Sequence, residues 1–188
     1  MRRFLLGPAG LFIGFLWGFA EATLFFIIPD VFLTLPALFS IRQSLKVMAA
    51  ILLGSVLGGG LMFWYGEAHP AQAESLVMQV PFVTQKMLAK TQEEFERYGI
   101  WALVKGPAGG IPYKIYAVQS PRYAGLVASL LVTVMARAWR FVLSWAVAVL
   151  LGAVFKKGIE RRPWAAVAAH LCVWTAIYAW YWTKVSHG

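Results

Sequence analysis

Val104-Lys105-Gly106-Pro107-Ala108-Gly109-Gly110-Ile111-Pro112-Tyr113-Lys114 sets two lysines, two prolines and three glycines between apolar flanks. Proline removes a backbone donor and glycine weakens a helix, so this is not a simple membrane-crossing helix. In lipid, broken backbone persists only where protein or a watery cavity covers it. Two ammonium groups need the same shelter, and charge at membrane depth points to function. The stretch reads as the tip of a re-entrant hairpin over 100–120, broken at Pro107, Gly109, Gly110 and Pro112. The plainer alternative is a loop outside the membrane. A second broken stretch near the N-terminus carries acids where this one carries bases, which favours the hairpin.

The composition explains why a membrane enters the argument. The 188 residues are 60% hydrophobic and only 13% charged, with mean hydropathy +0.67. An ordinary globular domain is about 25% charged. The expected class is an all-α integral membrane protein, one membrane domain over 1–188. Nine Trp and seven Tyr suit interfacial belts. The net charge of +9 does not imply nucleic acid, because there is no basic-aromatic surface motif and much of the charge sits in short clusters beside apolar spans. The single Cys172 allows no intramolecular disulfide. Without CxxC or a His pair at ligand spacing, no metal or cofactor is expected. Met1-Arg2-Arg3 mimics a signal-peptide start but no clean small-residue cleavage site precedes Glu21, so the segment is expected to stay in the fold.

The run 4–39 is too long for one spanning helix and too broken for two. It reads as the first re-entrant hairpin, with Glu21 before the break and Pro29-Asp30 at it. Asp30 has a local explanation, as a cap facing the dipole of the returning helix. Glu21, between Ala20 and Ala22, has none, and its carboxylate must be neutral, paired or wet. Residues 40–46 read as a short connection carrying Arg42 and Lys46. Residues 47–66 form a charge-free span in which Ala50, Gly54 and Gly58, and likewise Ser55 and Gly59, make a close-packing face. A loop follows through Pro81. Then 82–98 reads as an interfacial amphipathic helix, with Val83, Met87, Leu88, Thr91, Phe95 and Tyr98 on one face. Its other face holds Lys86, Lys90, Glu93, Glu94 and Arg97, including an i,i+4 pair of Glu93 with Arg97.

Residues 124–154 are one long apolar stretch with Arg137 and Arg140 on a common face. As one tilted helix it places both arginines well inside; as two helices with a short break it lets them snorkel. A basic turn at 156–162 leads into a final span over 164–182, where His170 reads as a hydrogen-bonded packing residue. The expectation is therefore two re-entrant hairpins in a pseudo-inverted repeat, about three full crossings and one interfacial helix. The basic groups at Arg2-Arg3, Arg42/Lys46 and 156–162 then share the cytoplasmic side, with the C-terminus outside.

An acid before an apolar run ending in Pro29-Asp30, a Gly-rich span ending in Tyr65-Gly66, and then Lys105-Gly106 through Ile111-Pro112-Tyr113-Lys114 resemble the DedA membrane proteins, also called the VTT or SNARE-associated Golgi family. The basic motif looks most like the YqaA-like subgroup. Arg137-Ala-Trp-Arg140-Phe141 resembles the family's downstream Gly-Arg-x-x-Arg-Phe-Phe stretch, and the likeness covers about residues 10–155. It implies facing re-entrant hairpins, a bacterial cytoplasmic membrane and movement of phosphate-bearing lipids between leaflets. Glu21 matches the family's membrane glutamate and Asp30 its acid after the first-hairpin proline. Lys105 and Lys114 stand where many members have arginines, Gly109-Gly110 replaces the usual Thr-Pro, and Gln119-Ser120-Pro121 replaces small residues.

Residues and resemblance agree in sign. An acidic hairpin faces a basic one, as broken helices do in secondary transporters. The expected function is a lipid translocase, a flippase or scramblase, for polyprenyl phosphate or a phospholipid. Lys105, Lys114, Arg137 and Arg140 would receive the lipid phosphate, while Glu21 and Asp30 couple it to protons or another ion. A plainer role for the charges is an internal Glu21–lysine pair that holds the hairpins together. A transporter of a small soluble solute is the rival function. An enzyme is not expected, because no close Ser/His/Asp set, Cys/His metal spacing or phosphate loop is present.

Overall fold

The computed structural model describes residues 7–186, and these are helical with no strand. Arg2, Arg3 and the first residues of the expected hairpin 4–39 lie outside the described residues. The order is α1 (Pro8–Thr23), α2 (Asp30–Ala37), α3 (Ile41–Ala68), α4 (Pro70–Met78), α5 (Gln85–Tyr98), α6 (Ala102–Ala108), α7 (Tyr113–Gln119), α8 (Leu126–Val154), α9 (Lys156–Arg161) and α10 (Pro163–Ser186). Short 3₁₀ turns, Gly99–Trp101 and Ser120–Arg122, flank α6 and α7. Among the described residues two helices, α3 and α8, are long and apolar enough to cross a membrane by length and composition.

α3 is the spine. Ser40 caps its start by accepting from the Gln43 amide at 3.4 Å. The glycines expected to form a packing face do so against two partners. On one side Gly54 and Gly58 meet the α1 backbone at Phe15 and Phe19, while Gly14 and Gly18 of α1 meet Val47 and Ile51. Ser55 Oγ donates to Gly18 O across this contact at 3.3 Å. On the other side Gly59 and Gly66 admit Tyr113 and Val118 of α7. Small residues thus let α1 and α7 approach two different faces of one helix. Each contact anchors a hydrophobic cluster: Phe32, Leu33, Val47, Ile51 and Phe141 around α1 and α2, and Leu88, Phe95, Leu103, Ile115 and Tyr116 around α6 and α7.

The break between α1 and α2 is covered by protein. Thr23 Oγ1 turns back to the Phe19 and Ala20 carbonyls, and Pro29 cannot continue the ladder. Trp17 Nε1 donates to Ile27 O at 3.0 Å, Lys114 Nζ donates to Phe25 O at 3.0 Å, and the Ile28 amide donates to Tyr178 Oη at 2.7 Å. The second break runs through Gly109 to Pro112, with Gly110 at φ +88°, where a side chain would be strained. Tyr181 Oη donates to Gly110 O at 3.1 Å.

Several expectations need correction. The stretch through Pro81 is not a loop throughout: Pro70 starts α4, and Ala73 and Val77, four apart, are buried on its inner face. Residues 41–46 are the first turns of α3 rather than a connection. The amphipathic helix begins at Gln85, capped by Thr84, since Phe82 has φ +68° and stacks on Trp182 instead. On that helix the ion pair that forms is Lys90–Glu94 at 4.0 Å, not Glu93 with Arg97. Glu94 turns inward to accept from Tyr116 Oη at 2.6 Å. Pro107 lies inside the last turn of α6, before the break proper. Residues 156–161 form a short helix rather than a turn. The long stretch is one unbroken helix, α8, and this disfavours the two-helix alternative.

The close approach of α1 and α3 gives the first test. A side chain at Gly18 or Gly54 collides with opposing backbone, which cannot move aside as a side-chain tip would. Gly18→Leu and Gly54→Leu should each cost about 1–3 kcal/mol or more. Gly158 faces open space, so Gly158→Ala should leave the melting temperature unchanged or slightly raised. Tryptophan-fluorescence melts of the protein in detergent read all three.

Candidate functional site

Inside this frame the polarity is inverted. Val127 and Leu131 of α8 are 71% and 61% exposed, while Glu21, Asp30, Lys114 and Arg137 are only 2–4% exposed. Charge is buried, and apolar surface faces out. Buried charges must be paired and hydrogen-bonded, so their contacts describe the site.

The cluster draws on both broken hairpins and on α8. Arg137 Nη1 donates to Glu21 Oε2, the contact between α8 and α1. The Arg137 guanidinium also lies 4.2 Å over the Tyr113 ring, whose hydroxyl is 2.9 Å from Thr133 Oγ1. Three residues further along α8, Arg140 Nη2 stands 3.0 Å from Asp30 Oδ2, a charge contact without hydrogen-bond geometry. Ser144 Oγ donates to Asp30 Oδ1 at 2.7 Å. Asp30 is the first residue of α2, and its carboxylate makes no cap; it turns to α8 instead. Lys114, at the start of α7, reaches the Phe25 carbonyl in the other hairpin. Glu21 pairs with Arg137, not with a lysine as the plainer reading had it.

The structure brings together Glu21, Asp30, Lys114, Arg137 and Arg140. Three cations meet two carboxylates, leaving one positive charge in excess. Arg137 Nη2 and Arg140 Nε and Nη2 are buried donors without hydrogen-bond partners. In an apolar interior such donors call for an acceptor. Lys105 stands apart: it is exposed and lies 3.7 Å over the Tyr98 ring. A vestibule of about 250 Å³ opens beside the cluster, with Glu21, Lys114 and Arg140 in its wall and Tyr178, Tyr181 and Trp182 among its aromatic residues.

Sequence reasoning missed Ser144, Thr133, Tyr113 and Tyr178. The first two had a signal. Thr133, Arg137, Arg140 and Ser144 recur at spacings of four, three and four, one polar stripe on an otherwise apolar helix. His170 is a hydrogen-bonded packing residue as expected, its Nε2 lying 2.9 Å from Thr34 Oγ1. That hydroxyl also accepts from Trp174 Nε1 at 3.1 Å and donates to Asp30 O at 2.7 Å.

No protein-family model matches the chain, and neither the curated proteins nor the solved structures contain a significant match.

A buried pair is more sensitive to the loss of one partner than of both. Glu21→Leu or Arg137→Met alone should cost about 3–5 kcal/mol. The double substitution should recover most of that loss. A double-mutant cycle from thermal melts in detergent measures the coupling, and additive losses would mean that the pair is not a unit.

Proposed function

We propose that this chain is an integral membrane lipid translocase of the DedA type, moving a phosphate-bearing lipid between leaflets of a bacterial cytoplasmic membrane with coupling to protons. One observation carries the reading: four buried charges and the half-buried Arg140, from two broken hairpins and one long apolar helix, converge beside an open vestibule, with one positive charge in excess. A structural salt bridge alone would need neither the excess charge nor the unpartnered arginine donors.

In this reading α3, α8 and α10 cross the bilayer, and the hairpins of α1–α2 and α6–α7 are re-entrant. The limb lengths support it. Helices of seven or eight residues, such as α2, α6 and α7, reach only about 10–12 Å, against a hydrocarbon core of roughly 30 Å. The covered backbone of the first break meets the condition for irregular structure at membrane depth. α5 lies at the interface, with its charged face toward headgroups and water.

The chemistry follows from exchange of partners. A lipid phosphate entering the vestibule meets Lys114 and Arg140, and charge-assisted bonds replace its hydration. Arg140 then shares or gives up Asp30. A carboxylate that loses its cation in an apolar site takes a proton more readily. Proton uptake on Asp30 or Glu21 raises the positive charge around the phosphate, so proton and phosphate favour each other's binding, and loss of the proton favours release. The headgroup travels through the protein while the hydrocarbon stays outside water.

Proteoliposomes test this. The purified protein is reconstituted with a fluorescent polyprenyl phosphate or, separately, a fluorescent glycerophospholipid, and an impermeant reductant bleaches the outer leaflet. We expect the protected pool to disappear faster than in empty vesicles, with a response to a pH gradient. Glu21→Gln and Lys114→Gln, if folded by their melts, should slow it about tenfold or more, the effect of losing some 1.4 kcal/mol at the barrier. No acceleration for either lipid by folded protein would overturn the translocase reading and favour transport of a soluble solute.

A further inference from the structure

Arg140 forms part of the wall of two cavities. One is the vestibule already described. The other is a groove of about 660 Å³ between α8 and α10, closed at its base by Thr34 and Leu38. α10 contributes Ala166 and Ala169 to its wall, and side chains this short leave the space between the helices unfilled. Its volume falls within the range of about 300–1,000 Å³ usual for ligand sites.

The groove is chemically graded along its length. Arg140 and Ser144 stand at one end through their shared contacts with Asp30, and Thr34 with His170 lies about one helical turn further along. Beyond Ser144 the α8 side is Val147, Ala148 and Leu151, as far as Phe155. From Arg140 to Phe155 the helix advances about 22 Å at its usual rise. A cation at one end, ion-paired with Asp30 but with a buried Nε that makes no hydrogen bond, followed by an aliphatic channel, is complementary to an anion that carries a hydrocarbon chain. An apolar peptide helix without a carboxylate would fill the channel but bring no anion to Arg140.

We propose that this groove binds one hydrocarbon chain of a lipid phosphate, with the phosphate at Arg140 and the rest of the headgroup in the vestibule. The inference rests on the lipid-translocase reading and adds the seat of the chain. Arg140 acts as the hinge between the two compartments: its guanidinium meets the phosphate where the polar and apolar cavities adjoin. The groove therefore selects for a chain that leaves the phosphate directly, and any second chain lies outside in the bilayer.

The probe is dodecyl monophosphate with a diazirine near its terminal carbon, added to the full chain in nanodiscs, photolysed and mapped by peptide mass spectrometry. We expect label on Val147, Leu151, Ala169 or Val173. It should be displaced by unlabelled dodecyl phosphate and much less by dodecanol or inorganic phosphate. Ala169→Trp fills the groove from an exposed position and should cut labelling about tenfold with an unchanged melting temperature. Arg140→Gln should remove the advantage of dodecyl phosphate over dodecanol. Equal displacement by dodecanol overturns the proposal, as does label confined to other faces or undiminished label in Ala169→Trp. A groove occluded by a second copy of the chain would stay unlabelled, and that too overturns it. The two readings fail separately. Groove labelling without lipid movement in vesicles sinks only the translocase; lipid movement with label elsewhere sinks only the groove.

Discussion

The bond between Arg137 and Glu21 is the constraint around which the rest is arranged. Neither charge tolerates burial alone, and each comes from a different part of the chain. The pair therefore fixes where α1 lies against α8. That in turn sets the first break beside α7, where Lys114 finds the Phe25 carbonyl, and sets Asp30 against Arg140. Tyr113 completes the arrangement by stacking under Arg137 and bonding Thr133. The hairpins are held by different means at their outer surfaces and at their centre. Glycine contacts with α3 supply closeness, and the charges supply register.

This division explains how buried polarity is tolerated. The hydrophobic clusters lie on either side of the charged centre, and neither contains its ions. The charged groups pair with one another and draw on the Phe25 carbonyl of the first break and the Ser144 hydroxyl of α8, which leaves three arginine nitrogens without hydrogen bonds. The breaks are thus part of the solvation of the cluster: a continuous helix has no carbonyl to spare at Phe25 for an ammonium group. Broken backbone and buried charge, each costly in an apolar setting, offset one another at the same place.

Much of this was legible in the sequence. Prolines and glycines beside charges marked both breaks, since those residues alter the backbone directly. Glycine spacing on α3 gave its packing face, and two arginines three apart gave the inward face of α8. What the sequence concealed depended on distant geometry. Lys105 and Lys114 look equivalent in the motif, yet Lys114 lies in the first turn of a helix that abuts α3, whereas Lys105 projects from α6 toward Tyr98. Glu94 looks like a surface acid, but the Tyr116 hydroxyl draws it inward. α4 was hidden by its polar composition, because only two of its residues need burial to hold it. Asp30 had an adequate local explanation as a cap, and a tertiary partner outweighed it.

Tyr178 and Tyr181 sit three apart on α10, and each serves a different break: one accepts from Ile28, the other donates to Gly110. A single helix thereby holds both turns, which the bond from Lys114 to Phe25 O also joins. Sliding it by one helical repeat, about 5.4 Å, would unfasten both hydroxyls in the same motion. Both turns are thus pinned to one helix, which contributes none of the five clustered charges.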